Sequence, residues 1–315
     1  MTFWELLLQV VLLVIGFVML IKGADWFVDG AASLAGKFGI PQLVIGLTIV
    51  AMGTSAPEAA VSISAALQDN AGITIGNVVG SNILNVLIIL GLASIIIPIQ
   101  VQKSTIKYEI PFTILITVVL AVLGLLDNEI SRIEGVIFWI LFIMYLIYLF
   151  RMAKKGDASV EEVENKIDKV WKMIVFILGG GALIIFGSDV TVDAASQIAG
   201  YFGMDDRLIG LTIVALGTSL PELITSVTAA KKGNADIAIG NIVGSNIFNI
   251  LFVVGTTALI TPVVYASSFL VDSIVAVVTM ILLLVCVLNK DHKLKRWGGA
   301  VLLVAYVGYF IYLIQ

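Results

Sequence analysis

Two short runs set polar chemistry into aliphatic surroundings. They are Ala51-Met52-Gly53-Thr54-Ser55-Ala56-Pro57-Glu58 and Ala215-Leu216-Gly217-Thr218-Ser219-Leu220-Pro221-Glu222. A proline removes a backbone N–H and crowds the carbonyl four residues back. The carbonyls of Ala51 or Met52, Gly53 and Thr54, and of their counterparts, are therefore predicted to be freed. Each run also carries a glutamate one residue after its proline, with hydroxyls three and four residues earlier on the same helical face. Carbonyl, hydroxyl and carboxylate oxygens are the hard ligands that Na⁺ and Ca²⁺ take, and no thiolate set for zinc or copper accompanies them. Glu58 and Glu222 together would bring two negative charges to a shared site, which balances one Ca²⁺.

A second pair of segments follows at the same distance in each case. Gly76-Asn77-Val78-Val79-Gly80-Ser81-Asn82-Ile83-Leu84-Asn85 matches Gly240-Asn241-Ile242-Val243-Gly244-Ser245-Asn246-Ile247-Phe248-Asn249. Ser81 and Asn85, like Ser245 and Asn249, lie four residues apart and so present oxygens on one helical face. The GxxxG glycines are better read as packing positions that admit another backbone. A single intramembrane glutamate can be no more than a structural hydrogen-bonding group. Both motifs appearing twice favours an ion site.

The elements that must hold these residues are membrane helices. Of the 315 residues, 60% are hydrophobic and only 13% charged, against about 45–50% and about 25% in a globular domain. Mean hydropathy is +1.09. There is too little polar surface for a water-soluble fold, which excludes a soluble enzyme or a nucleic-acid binder. A formal charge of −4 argues against a polybasic surface, and the single Cys286 excludes an intrachain disulfide. Met1 to Glu5 hold no Lys or Arg, so the first apolar run reads as a retained helix and not a secretory signal.

Counting runs of about 20 apolar residues predicts an all-α polytopic bundle of ten spans. They lie near 5–29, 42–67, 72–97, 108–126, 133–150, 173–197, 207–230, 236–261, 267–288 and 297–314. The hydrophilic stretch from Arg151 to Lys172 divides them into two groups of five, giving a first half at 1–150, a linker at 151–172 and a second half at 173–315. Loops after the odd-numbered spans carry fifteen of the eighteen basic residues. That face is therefore expected to be cytoplasmic, with both termini outside.

A shift of 164 residues lays the chain on itself without a gap. Between Ile45 and Gly91, 29 of 47 positions are identical to Ile209 to Gly255. An odd number of spans per half turns the second half upside down relative to the first. The charges follow: Leu67 and Gln68 are matched by Lys231 and Lys232. Inverted repeats are common in secondary transporters, with substrate held near the midplane between them. The chain has no HExxH, Walker or GxSxG motif. It is thus not expected to be an enzyme or to use a cofactor, and uphill transport would need a second ion. Asp25 and Asp29, with Asp189 and Asp193, lie near the membrane surface and read as structural anchors, with Lys22 expected either to pair with Asp25 or to snorkel. Glu161, Glu162 and Glu164 read as a solvated linker face, and His292 as a loop residue without chemistry.

The duplicated GTS[AL]PE and GN[VI]VGSN[IL]xN runs closely resemble the repeats of the cation/calcium antiporter superfamily, the prokaryotic sodium/calcium exchangers in particular, over essentially the whole chain. The resemblance implies alternating-access exchange of Na⁺ for Ca²⁺ in the cell membrane. It implies Ca²⁺ held by Glu58, Glu222 and the carbonyls of Thr54 and Thr218. It implies sodium sites at Ala51, Ser55 and Ser81 and at Ala215, Ser219 and Ser245, with spans 1 and 6 sliding over the rest on small residues (Gly23, Gly30, Gly179 to Gly181, Gly187). Relatives often carry Asp where this chain has Asn249, paired with Asn85, so a titratable group is absent here. Two rival readings are a H⁺/Ca²⁺ antiporter at the same glutamates and a passive cation channel. The partners expected are the two ions and the lipid bilayer, with no nucleic acid, and a chain that works as a monomer.

Overall fold

The computed structural model describes residues 3–68, 71–155, 167, 169–203, 215–267 and 269–313. Most of the linker, with Glu161, Glu162 and Glu164, and residues 207–214 of the seventh predicted span lie outside the described residues. The described chain is almost entirely helical. Among the described residues, eight helices are long and apolar enough to cross a membrane: Trp4–Phe38, Ile73–Ile96, Thr105–Asp127, Arg132–Lys154, Val170–Tyr201, Ala235–Ile260, Phe269–Val287 and Arg296–Leu313. A ninth candidate is the pair Gln42–Thr54 and Ala56–Leu67, bent by 50°. These coincide with nine of the ten spans read from hydropathy. Of the seventh, only Ala215–Thr218 and Leu220–Lys231 are described.

The bundle is layered by polarity as well as by burial. Ala235–Ile260 and Ile73–Ile96 form its centre, and Gly240 and Gly244 show why they pack so closely. A Cβ at Gly240 would lie 3.1 Å from the Gly46 backbone, and one at Gly244 2.8 Å from Leu47 Cα. The packing reading of that GxxxG pair holds in the second half. The first and sixth helices lie at the perimeter and face each other through a glycine ladder. Gly16 meets Gly187, Gly23 meets Gly180 and Ile184, and Gly30 meets Ile177 and Met173. Of the triple glycine only Gly180 sits at the close approach; Gly179 and Gly181 have nothing nearer than 3.8 Å.

These two helices run further than hydropathy predicts. Phe3–Phe38 extends nine residues past 29, and Val170–Tyr201 exceeds 173–197 at both ends. The charges that suggested a boundary are paired instead. Lys232 Nζ lies 3.2 Å from Asp25 Oδ1 and 3.0 Å from Asp29 Oδ1, and it donates to the Asp25 carbonyl at 2.9 Å. Asp25 and Asp29 are thus anchors, but their partner is Lys232, while Lys22 is exposed.

Four two-residue strands, invisible in the hydropathy pattern, tie the loops together. They are β1 (Ile99–Gln100), β2 (Glu129–Ile130), β3 (Val263–Val264) and β4 (Lys293–Leu294). β1 pairs antiparallel with β4, and β2 with β3. Each pair therefore joins one strand from either side of the central linker.

Candidate functional site

The bend in the second span is built locally. Helix Ala51–Thr54 stops at Ser55 (φ −83°, ψ 10°), and a new helix runs from Ala56 to Leu67 with Pro57 in its first turn. There the missing N–H costs nothing, because first-turn donors have no intrahelical partner. Ser219 (φ −92°, ψ 2°) and Pro221 repeat the arrangement before Leu220–Lys231. The first half-helix thus points its carbonyl end at the break, the favourable end of the helix dipole for a cation.

One expectation needs correcting. Pro57 does leave Gly53 without its usual donor, but of the alternatives Ala51 or Met52 the Ala51 carbonyl is not freed. The Ser55 N–H donates to it at 3.0 Å, and the Thr54 and Ser245 hydroxyls approach at 3.3 and 3.4 Å. The backbone turn at Ala51 closes before the break begins.

Both glutamates are completely buried. The Ser55 hydroxyl, from one motif, donates to Glu222 Oε1 of the other at 2.8 Å. The mirrored bond is not made: the Ser219 hydroxyl has no partner, and neither do Glu58 Oε1, Glu58 Oε2 and Glu222 Oε2. Ser81 stands beside Glu58 without bonding geometry. Buried polar groups are nearly always bonded. Three carboxylate oxygens here are left without a donor from the protein.

Of the remaining predicted residues, Thr54, Ser81, Ser245, Asn85 and Asn249 are buried and Thr218 is half-buried. Ala215 begins the half-helix Ala215–Thr218. Asn85 Nδ2 donates to Asn246 Oδ1 at 3.0 Å, and Asn249 Nδ2 to Asn82 Oδ1 at 3.1 Å. Their own amide oxygens accept no hydrogen bond. These two residues join an asparagine cluster, and no bond ties them directly to either glutamate. Among the described residues no three His, Cys, Asp or Glu side chains gather, so the other oxygens around the two carboxylates are neutral.

Hydropathy and motif reading overlooked the residues that hold the site in place. Asn77 Nδ2 donates to the Glu58 carbonyl at 3.1 Å and to Ser62 Oγ at 2.9 Å. Asn241 Nδ2 reaches the Glu222 carbonyl at 3.4 Å and Ser226 Oγ at 2.9 Å, while its Oδ1 accepts from Thr54 Oγ1 at 2.9 Å. Across the centre, Asn82 and Asn246 each donate to the other's carbonyl at 3.2 Å. All three asparagines of each motif were visible, and their place in each repeat was the available signal. The π-helical turns that begin at Asn85 and Asn249 left no trace in the sequence. Such turns often accompany functional sites.

Comparison with known proteins identifies the family. The sequence profile of the sodium/calcium exchanger protein family matches residues 8–151 and 172–315. CaxA of Alkalimonas amylolytica is 42% identical over 313 residues, covering 96% of this chain and 98% of that protein. The sodium/calcium exchanger MaX1 of Methanosarcina acetivorans is 33% identical over 96% of this chain and 97% of its own length. The solved structure of the sodium-calcium exchanger NCX_Mj, soaked with zero Na⁺ and Ca²⁺, superposes with a TM-score of 0.84 at 34% identity, covering 98% of this chain and 99% of that one. The chain is a multi-pass membrane protein that belongs to the sodium/calcium exchanger family.

Proposed function

We propose that the chain exchanges Na⁺ for Ca²⁺ by alternating access, with Glu58 and Glu222 binding either cargo in turn. The observation that carries this reading is the set of three buried carboxylate oxygens without hydrogen-bond donors, two on Glu58 and one on Glu222. Uncompensated carboxylates in a low-dielectric interior cost several kcal/mol each, and a cation removes that cost. One Ca²⁺ neutralises the pair, as do two Na⁺; a third Na⁺ would leave one positive charge and make exchange electrogenic. An unloaded site keeps its two negative charges, so the closed intermediate is reached only when filled. Exchange, as opposed to leak, follows from that penalty.

The carbonyls of Thr54 and Thr218 complete the Ca²⁺ shell in this reading. Ser55 and Ser81 serve one flanking sodium site together with the Ala51 carbonyl, which keeps the Ser55 N–H and exchanges the long Thr54 and Ser245 hydroxyl contacts for the ion; Ala215, Ser219 and Ser245 serve the other. Asn85 and Asn249 contribute neutral amide oxygens, consistent with their unfilled Oδ1 atoms. Asn77 and Asn241 are positioning residues that hold the two glutamate-bearing turns.

We further propose ten spans in two inverted halves, 1–150 and 173–315, joined by 151–172. Strand pairing supports this by parity. Between β2 and β3 the described helices Arg132–Lys154, Val170–Tyr201 and Ala235–Ile260 make three crossings, an odd number. The two strands are nonetheless paired, and so lie on one face. The seventh span expected from sequence at 207–230 would be the fourth crossing and restore the parity. The basic loops orient the linker to the cytoplasm and both termini outside, in the cell membrane, with a site complete in one chain.

The test is ⁴⁵Ca²⁺ uptake into liposomes holding the purified protein and loaded with Na⁺. Uptake is expected in Na⁺-free medium and not in Na⁺-matched medium at equal pH. Glu58→Gln and Glu222→Gln should each abolish it; full activity in both would sink the site. Uptake that ignores Na⁺ but follows a pH gradient would move the reading to H⁺/Ca²⁺ exchange, and flux needing no counter-ion would move it to a channel.

A further inference from the structure

A cavity of about 330 Å³ opens on the perimeter between the helices Thr105–Asp127 and Arg132–Lys154, away from the two motif glutamates. Its wall is Tyr108, Glu109, Phe112, Leu141, Met144, Tyr145 and Tyr148. Four aromatic rings surround one acid. Tyr145 stacks with Phe112 at 5.7 Å between centroids and with Tyr148 at 6.4 Å, and Tyr108 lies 6.4 Å from Tyr148. Glu109 is 1% exposed and Tyr145 5%. The Tyr148 hydroxyl donates to Glu109 Oε1, but Glu109 Oε2 and the Tyr145 hydroxyl have no partner.

The matched positions of the second half close differently. Glu109 corresponds to Ser273, Tyr145 to Tyr309 and Tyr108 to Asp272. There the Tyr309 hydroxyl donates to Asp272 Oδ1 at 2.8 Å, and Ser273 bonds the Tyr265 hydroxyl at 2.7 Å. The neighbouring cavity on that side is lined by no carboxylate. Only the first half leaves an acid and a phenol unmet on the same backbone.

We propose that this cavity binds the primary-ammonium headgroup of a phospholipid such as phosphatidylethanolamine. Ring faces and a carboxylate are the recognition chemistry for an organic cation. A primary ammonium also carries N–H donors for Glu109 Oε2 and the Tyr145 oxygen, which a trimethylammonium lacks. The cavity is graded along the membrane normal. Glu109 and Tyr148 lie within two turns of helix ends at one face, while Leu141 lies deeper and suits an acyl chain. Lys107, exposed and with its Nζ 5.3 Å from the Tyr108 ring, stands at the rim where a phosphate would sit.

The test is lipid retention by the purified full chain in detergent, read by native mass spectrometry. Phosphatidylethanolamine, phosphatidylcholine and phosphatidylglycerol of identical chains are offered in equal amounts. The ethanolamine lipid should be retained about tenfold over the other two, the worth of a charge-assisted hydrogen bond. Glu109→Gln and Tyr145→Phe should each bring it down to the choline level. Tyr145→Phe keeps the ring stack, so it carries the test if Glu109→Gln does not fold. Unchanged retention in both variants, equal retention of the choline lipid by the wild type, or displacement by free ethanolamine alone would overturn the assignment. None of these readouts depends on transport.

Discussion

At the site, the two glutamates share a motif and a depth but not a set of bonds. Glu222 accepts from Ser55, whereas Glu58 accepts from no residue. A hydrogen bond to a charged group is worth about 1.5–3 kcal/mol. Ser55→Ala should therefore weaken apparent Ca²⁺ and Na⁺ affinity about tenfold, read as a rise in KM with the maximal rate nearly kept. Ser219→Ala removes a sodium-site hydroxyl but no bond to a glutamate, and its effect on Ca²⁺ affinity should be clearly smaller. Equal effects of the two would mean that this asymmetry has no bearing on binding. Glu58 and Glu222 were legible from sequence because an acid in a hydrophobic span is costly enough to need a reason. The choice between the Ala51 and Met52 carbonyls was not legible, because proline predicts which donor is lost, not how the preceding turn closes on Ala51 with Ser55, Thr54 and Ser245.

At the scale of the helix, hydropathy located the spans well and their ends poorly. The extension of Phe3–Phe38 rests on Lys232, 203 residues or more away in sequence from Asp25 and Asp29, and no local pattern announces a partner at that distance. The short strands were missed for a related reason: two residues are too few to show a period of two. The glycine ladder was partly legible, since Gly23, Gly30 and Gly187 stood out as small residues. Which of Gly179, Gly180 and Gly181 makes the contact depends on helix rotation alone. A side chain at Gly187 would meet the Leu20 N–H at 2.9 Å and the Gly16 carbonyl at 3.0 Å. Gly187→Val should force the first and sixth helices apart, costing about 1–3 kcal/mol by overpacking. It should lower the melting temperature in detergent and cut exchange more than ion binding. Gly179→Ala, with open space around it, should do neither.

For the whole molecule, the paired strands make a statement about sides that labelling can check. With the buried Cys286 replaced by Ala, Lys103→Cys beside β1 and Lys293→Cys in β4 should react with an impermeant maleimide from the same side. Asn128→Cys, next to β2, should react from the other. Labelling of Lys103→Cys and Lys293→Cys from opposite sides would break the ten-span topology and leave the site chemistry untouched. The seam between the halves has a consequence of its own. Asn82 and Asn246 exchange identical bonds, as do Asn85 with Asn246 and Asn249 with Asn82. Each side offers what it asks for, the self-complementarity of an isologous dimer. Such a surface does not need a covalent tether to find its mate. A chain cut within 151–172 and expressed as two polypeptides should co-purify and exchange ions, as two subunits would.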